Sequence, residues 1–315
     1  MPELRPEIDP EAVLSLLSQH FKGPVIGLAP VEGGPIMRAF RFVAGRDEYL
    51  VRFNRDNMMT SNLPKEEYVS RKLAPTKVPV PPVVHTGRMG DLHLAISLRM
   101  PGQIAATMPA REVESLLPQV ISTLDDIRQV DVSDTAGYGV FDYLGRGMSS
   151  SWRDFLELIE KEEDERDFFG KWHRLFEDTF LELDLYRRIY DRMSGLLECC
   201  SSDRYLVHGS YTLHNVLAAR GRVTAVLNWF DARYGDFVYD VAGLDFWYPW
   251  LGVREAFRRH CEEQKVEVPH YRERLLCYEC HVALSGLRFF AFAGNEPSYR
   301  TTRSLILKKL ETPGP

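Results

Sequence analysis

Leu206-Val-His-Gly-Ser-Tyr-Thr-Leu-His-Asn-Val-Leu217, followed by Val226-Leu-Asn-Trp-Phe-Asp-Ala232 and Gly235-Asp-Phe-Val-Tyr-Asp-Val-Ala242, is the most informative stretch of the 315-residue chain. Two short apolar runs, Tyr205-Leu-Val207 and Val223-Thr-Ala-Val-Leu227, are separated here by a polar loop. His208, Ser210, His214 and Asn215 lie in that loop, and Asn228, Asp231, Asp236 and Asp240 follow the second run.

Around this stretch the periodicity divides the chain in two. Val13, Leu16, Leu17 and Phe21 recur at helical spacing and predict an opening amphipathic helix. Arg38-Ala-Phe-Arg-Phe-Val43 alternates, Gly45-Arg-Asp turns, and Glu48-Tyr-Leu-Val-Arg-Phe53 returns, which predicts a hairpin. A helix over 65–73 comes next, closed by Val78-Pro-Val-Pro-Pro-Val-Val84, and a strand over 92–98 ends at Arg99-Met-Pro-Gly102. Beyond Gly102 the pattern turns mainly helical, with apolar stripes at Trp152–Ile159, Leu181–Leu196 and Tyr271–Phe292. The expected fold class is α+β. Residues 1–98 form a small antiparallel-sheet lobe, and residues 99–315 form a larger, mainly helical lobe containing segment 206–242.

Composition narrows the classes. Hydrophobic residues make up 44% and charged residues 27%, as in ordinary globular domains. Against 39 basic side chains stand 45 acidic ones, a formal charge of −6, which argues against a broad nucleic-acid-binding face. Apolar runs fall short of the roughly 20 residues of a membrane span, and the acidic, proline-bearing N-terminus lacks the basic start of a secretory signal. Five cysteines are too few for a disulfide framework at this length, so a cytoplasmic protein is expected. Cys277-Tyr-Glu-Cys280-His281 spells a haem-attachment pattern, but it lies on the apolar stripe of a helix and reads as core packing.

The pattern His208-Gly-Ser-x₄-Asn215, a strand ending in Leu-Asn228-Trp, and Gly235-Asp-x-x-Tyr239-Asp-x-Ala242 resembles that of the aminoglycoside phosphotransferases, hygromycin type. Thr135-Ala-Gly-Tyr-Gly-Val-Phe141, Ser151-Trp-Arg-Asp-Phe-Leu156 and Asp245-Phe-Trp-Tyr-Pro-Trp-Leu251 extend the resemblance over most of the chain. It implies a two-lobed, protein-kinase-like fold with ATP and Mg²⁺ between the lobes and a small hydroxylated substrate, aminoglycoside-like. By the same resemblance Gly33 and Gly34 drape the nucleotide phosphates, Arg52 stands at the phosphate-holding cation, and Glu66 (or its neighbour Glu67) pairs with it. Ser97 and Leu98 form the adenine hinge, and Asn215 and Asn228 occupy the metal-ligand positions. On charge pattern alone, an ordinary exposed helix residue is the favoured reading of Glu66.

The departures carry as much weight. The family has aspartates where this chain has Ser210 and Asn228. A serine hydroxyl is no base near neutral pH, and a general base contributes about 10²–10⁴ in rate. An amide oxygen brings no negative charge to a hard dication. His208 opens the loop, His214 has the pKa range of a base, and Asp231 lies three residues past Asn228; the last two are the candidate substitutes. Asp236 and Asp240 read as scaffold. Acids and aromatics between Trp229 and Trp250 suit a cationic or sugar ligand, or simply core. The expectation adopted is a degenerate kinase centre, in a pseudokinase or a repurposed enzyme, that binds a small polar molecule in the cleft. The alternative is an active ATP/Mg²⁺-dependent phosphotransferase.

Overall fold

Alternation along five strands decides how the first hundred residues pack. The computed structural model describes residues 5–31, 37–55, 63–162 and 169–311. Helix α1 (Pro10–His20) starts at Asp9, whose carboxylate accepts the Glu11 amide. Strands β1 (Val25–Val31), β2 (Arg38–Ala44) and β3 (Asp47–Arg55) follow, then helix α2 (Leu63–Leu73) and strands β4 (Val83–Met89) and β5 (Leu92–Leu98). They form one antiparallel sheet in the order β1-β2-β3-β5-β4. Side chains of successive residues point to opposite faces, so Phe40, Phe42, Val51, Phe53, Leu94 and Ile96 share one face and close a core with Val13 and Leu17 of α1. Leu50, Arg52 and Ser97 therefore look the other way. On that side α2 packs against β4 and β5.

The sequence reading placed three of these strands and missed β1 and β4. Both are edge strands, largely half-exposed, with a bulged register. Edge strands of this kind carry little apolar alternation, and Gly27, Pro30 and Gly87 interrupt what there is.

Past Gly102 the chain enters a helical region, but it also lays down seven short strands among the described residues, where the sequence marked two apolar runs. Strand β6 (Gln103–Ile104) leads through helix α3 (Ala110–Arg128) to the hairpin of β7 (Tyr138–Phe141) and β8 (Gly147–Ser149). Helices α4 (Trp152–Glu157), α5 (Leu175–Asp178) and α6 (Leu183–Ser194) precede β9 (Tyr205–Val207), β10 (Val216–Ala219), β11 (Arg222–Val226) and β12 (Arg233–Gly235). The sheets run β11-β10-β6 and β8-β7-β12-β9. Strands of two to five residues are too short to show periodicity. The polar loop 208–215 thus hangs between β9 and β10, and Asn228 follows β11 after Leu227.

Helix α7 (Val238–Trp247) is buried along almost its whole length. It packs with α6 and α10 (Glu296–Glu311) around α9 (Tyr271–Phe292), and its other neighbour is α8 (Val253–Glu263). By length and composition α9 could cross a membrane, contrary to the sequence reading, yet 67% of its most apolar window is buried within the protein. Cys277 and Cys280 are fully buried there, as the packing reading of the Cys-x-x-Cys-His pattern expected.

One ion pair fastens α9 beneath the loop region. Arg274 donates to both oxygens of Asp236 at 2.8 and 2.5 Å, and the Tyr278 hydroxyl donates to the same carboxylate at 2.5 Å. Asp236 in turn accepts the Val238 amide at the start of α7. Removing one member of a buried pair strands the other charge. Arg274→Met is expected to lower the unfolding free energy by about 3–5 kcal/mol, read as a fall in the urea midpoint at unchanged slope.

Candidate active site

The loop 208–215 is built on a buried carboxylate. Asp240, on α7, accepts the backbone amides of His208 at 2.7 Å and Gly209 at 2.8 Å. Burial raises its pKa to about 6 against those amide bonds, which lower it. Gly209 has φ +82°, and a Cβ there would sit 2.3 Å from the Asp231 carbonyl oxygen and 2.5 Å from Arg233 Nε, so the turn admits only glycine. His208 is fully buried. Its Nδ1 accepts the Ser210 amide at 3.2 Å and its Nε2 pairs with the Leu227 carbonyl at 2.9 Å, which assigns the proton to Nε2. Burial lowers its pKa to about 4. With both nitrogens engaged within the chain, His208 braces the loop.

Two neutral amides meet where the loop faces Asn228. Asn228 adopts the left-handed conformation, φ 62° and ψ 59°, which asparagine tolerates better than most residues. Its Nδ2 donates to Asn215 Oδ1 at 2.6 Å, and Asn215 Nδ2 donates to the Ser210 carbonyl at 2.8 Å. Among the described residues no three His, Cys, Asp or Glu side chains gather as a metal-holding group. His214 is exposed on the turn Leu213–Asn215. Asp231, with 39% of its side chain exposed, lies 3.8 Å from Arg233 Nη2.

The sheet supplies the opposite wall. Arg52 Nη2 donates to Glu66 Oε2 at 2.5 Å and Nη1 to Oε1 at 3.2 Å, a bidentate pair. Glu67 instead accepts a hydrogen bond from the Thr86 hydroxyl. Arg52, Glu66, Ser97, Leu98 and Asn228 all line one cavity of about 360 Å³ between the sheet and the helical region. Gly33 and Gly34 lie outside the described residues. A larger, more open depression of about 1120 Å³ lies between α8 and α9, but its five acids and five Lys or Arg side chains balance, and no residue of the sequence pattern lines it.

Several aromatics and acids near the loop follow the core reading rather than the ligand one. Trp229, Tyr234 and Phe246 are core. Asp236, Asp240 and Asp245 are engaged by Arg274, by loop amides, and by Arg254 with Lys309. The reading also missed Lys65 and Arg233, whose head groups lie beneath the loop. Lys65 is fully buried, with Nζ on the carbonyls of Phe230 and Ala232. The signal was present, since Leu63, Lys65, Glu66, Val69, Ser70 and Leu73 form the buried stripe of α2 and a lysine on such a stripe needs a partner.

The antiparallel sheet over a helical region, with the loop and the Arg52–Glu66 pair facing across a cleft, defines a two-lobed phosphotransferase fold of the protein-kinase type. Residues 27–274 match the phosphotransferase enzyme family. A hygromycin-B 4-O-kinase of Escherichia coli is 31% identical over 292 residues, 92% of this chain and 82% of that enzyme. The chain therefore belongs to the aminoglycoside phosphotransferase family. The crystal structure of aminoglycoside phosphotransferase APH(4)-Ia, 27% identical, superposes with a TM-score of 0.79 over 95% of this chain and 98% of that one. A thermostable mutant of it in ternary complex with ADP and hygromycin B gives 0.79 at 28% identity, over 94% and 98%. A macrolide 2′-phosphotransferase type I, 15% identical, shares the fold with a TM-score of 0.68 over 94% and 96%.

Two buried histidines make this centre sensitive to acid. His281, against the Tyr239 hydroxyl, has its pKa lowered to about 3 by burial, and His208 to about 4. Between those values and 6.5 the unfolded chain binds protons that the folded chain does not, so stability rises with pH across this window and falls on acidification. Each histidine is expected to remove about 2 kcal/mol between pH 8 and pH 5. Asp240, whose raised pKa works in the opposite sense, contributes to the same change, so the difference between variants is the test: His281→Gln should shrink the pH 8 to pH 5 change in urea-derived stability by about 2 kcal/mol relative to the unaltered chain.

Proposed function

We propose that the cleft binds a small polar molecule, a nucleotide included, and that conventional phosphoryl transfer is weak or absent, as in a pseudokinase or a repurposed small-molecule enzyme. The observation that carries this reading is the bond from Asn228 Nδ2 to Asn215 Oδ1. An aspartate at 228 would turn an oxygen toward Asn215 Oδ1, and two facing acceptors call for a cation between them. The amide supplies a hydrogen instead and uses an acceptor that would otherwise face the ion. Two neutral amides bonded to each other are a poor fit for Mg²⁺, which prefers charged oxygens in octahedral array.

The nucleotide fits better. Arg52, held by Glu66, is a cation in reach of phosphate in the same cavity as Ser97 and Leu98. In this reading residues 1–98 are the nucleotide-binding-type lobe over a helical lobe, 99–315. Ser210 keeps only a hydroxyl where a carboxylate would orient the substrate, and the exposed His214 and half-exposed Asp231 are the candidate substitutes in the segment. Five free cysteines suit a reducing compartment, and we place the protein in the cytoplasm. The second reading, an active ATP/Mg²⁺-dependent phosphotransferase on an aminoglycoside-like hydroxyl, is favoured by the 31% identity to hygromycin-B 4-O-kinase.

Calorimetric titration with ATP and assay of radiolabelled phosphate transfer to hygromycin B separate the two. ATP should bind with an affinity that Mg²⁺ changes by less than about threefold. Transfer should rise by about 10²–10⁴ when Ser210→Asp is combined with Asn228→Asp. Robust Mg²⁺-dependent phosphorylation by the unaltered chain would sink the first reading.

A further inference from the structure

Three consecutive carbonyls after Asn228 are held by two buried cations. Lys65 Nζ donates to Phe230 O at 2.8 Å and Ala232 O at 2.6 Å, and Arg233 Nε donates to the intervening Asp231 O at 2.9 Å. Arg233 belongs to the strand that follows the turn, but Lys65 reaches it from α2, in the N-terminal region. Nζ also lies 4.2 Å over the Phe141 ring of β7. Lys65 is therefore fastened to the turn and to β7 at once, while Glu66, the next residue on α2, holds Arg52.

We propose that Lys65 is a positioning residue that couples α2 to the turn carrying Asn228, so that the Arg52–Glu66 pair and the Asn215–Asn228 pair move as one unit. Packing alone does not account for a lysine here. A fully buried ammonium is costly to desolvate, and an apolar chain of similar length would fill the space at lower cost. What lysine adds is a pair of directed bonds across the boundary between the two regions. The groups around it do not make a simple ion pair. Asp231, Asp142 and Glu66 favour its charge, Arg233 opposes it, and burial dominates, lowering its pKa to about 7. A neutral amine still donates two hydrogens, so the tether persists in either state. For a ligand in the cleft, whose lining includes Arg52, Glu66 and Asn228, the tether sets the distance between the two walls. That last consequence rests on the nucleotide reading above, whereas the tether itself does not.

Hydrogen exchange of the free protein, read by mass spectrometry on the unaltered chain, Lys65→Met and Lys65→Arg, tests the coupling. Met should speed exchange about tenfold or more in both 229–235 and 64–73 while α9 stays unchanged, and Arg, which keeps the charge and two donors, should restore protection to within about threefold. If Lys65→Met does not fold, Lys65→Leu, which also lacks a donor, replaces it with the same expectation. Unchanged exchange at 229–235, or a uniform rise that includes α9, would overturn the proposal, the latter because it reports lost stability alone. ADP titration of the same proteins should show about tenfold weaker binding for Met and near-normal binding for Arg. If the unaltered chain binds no ADP, the nucleotide reading fails, and the exchange result still decides for or against Lys65.

Discussion

The bond from one buried carboxylate to two consecutive amides organises this centre. Asp240 receives the His208 and Gly209 N–H groups, and the chain between them must then turn through a left-handed glycine. That turn brings the Gly209 carbonyl to within 3.5 Å of Arg233 and its Cα against the Asp231 backbone, so loop, turn and strand β12 share one set of contacts. His208 then reaches back to Leu227, at the end of the run that carries Asn228. A buried carboxylate of this kind is costly unless its oxygens are satisfied, which explains why the donors are backbone groups fixed by the fold.

Two faces of a neutral pair give the cleft its character. Asn215 and Asn228 satisfy each other without an ion, while Arg52 and Glu66 satisfy each other on the opposite wall. A centre with carboxylates at 210 and 228 would concentrate negative charge and require a cation to assemble. Here Asn215, Asn228, Arg52 and Glu66 each have a partner within the chain.

The sequence disclosed the centre through spacing and hid its supports. His208, Ser210, Asn215, Asn228 and Asp240 stand in a pattern whose order marks the fold, and hairpin and helix periodicity marked β2, β3, α1 and α9. The hidden parts have physical causes in common. β1 and β4 are sheet edges without alternation, and β6 to β12 are too short to show any. Lys65 and Arg274 find their partners 165 and 38 residues away in the chain, a relation no local window contains. Asp236 and Asp240, which the pattern marked as scaffold, are taken by Arg274 and by loop amides, and Asp245 is taken by Arg254 and Lys309.

The position of α9 in the chain bears on the order in which these supports can arise. Asp236 and the loop above it leave the ribosome well before Arg274 and Tyr278, and α9 rests in turn on α10, which ends at Glu311. Until α9 is synthesised, the loop has its Asp240 clasp but no Arg274 or Tyr278 beneath Asp236. A nascent or prematurely ended chain therefore exposes a charged, half-built centre, and the quality of the site depends on residues that never touch it.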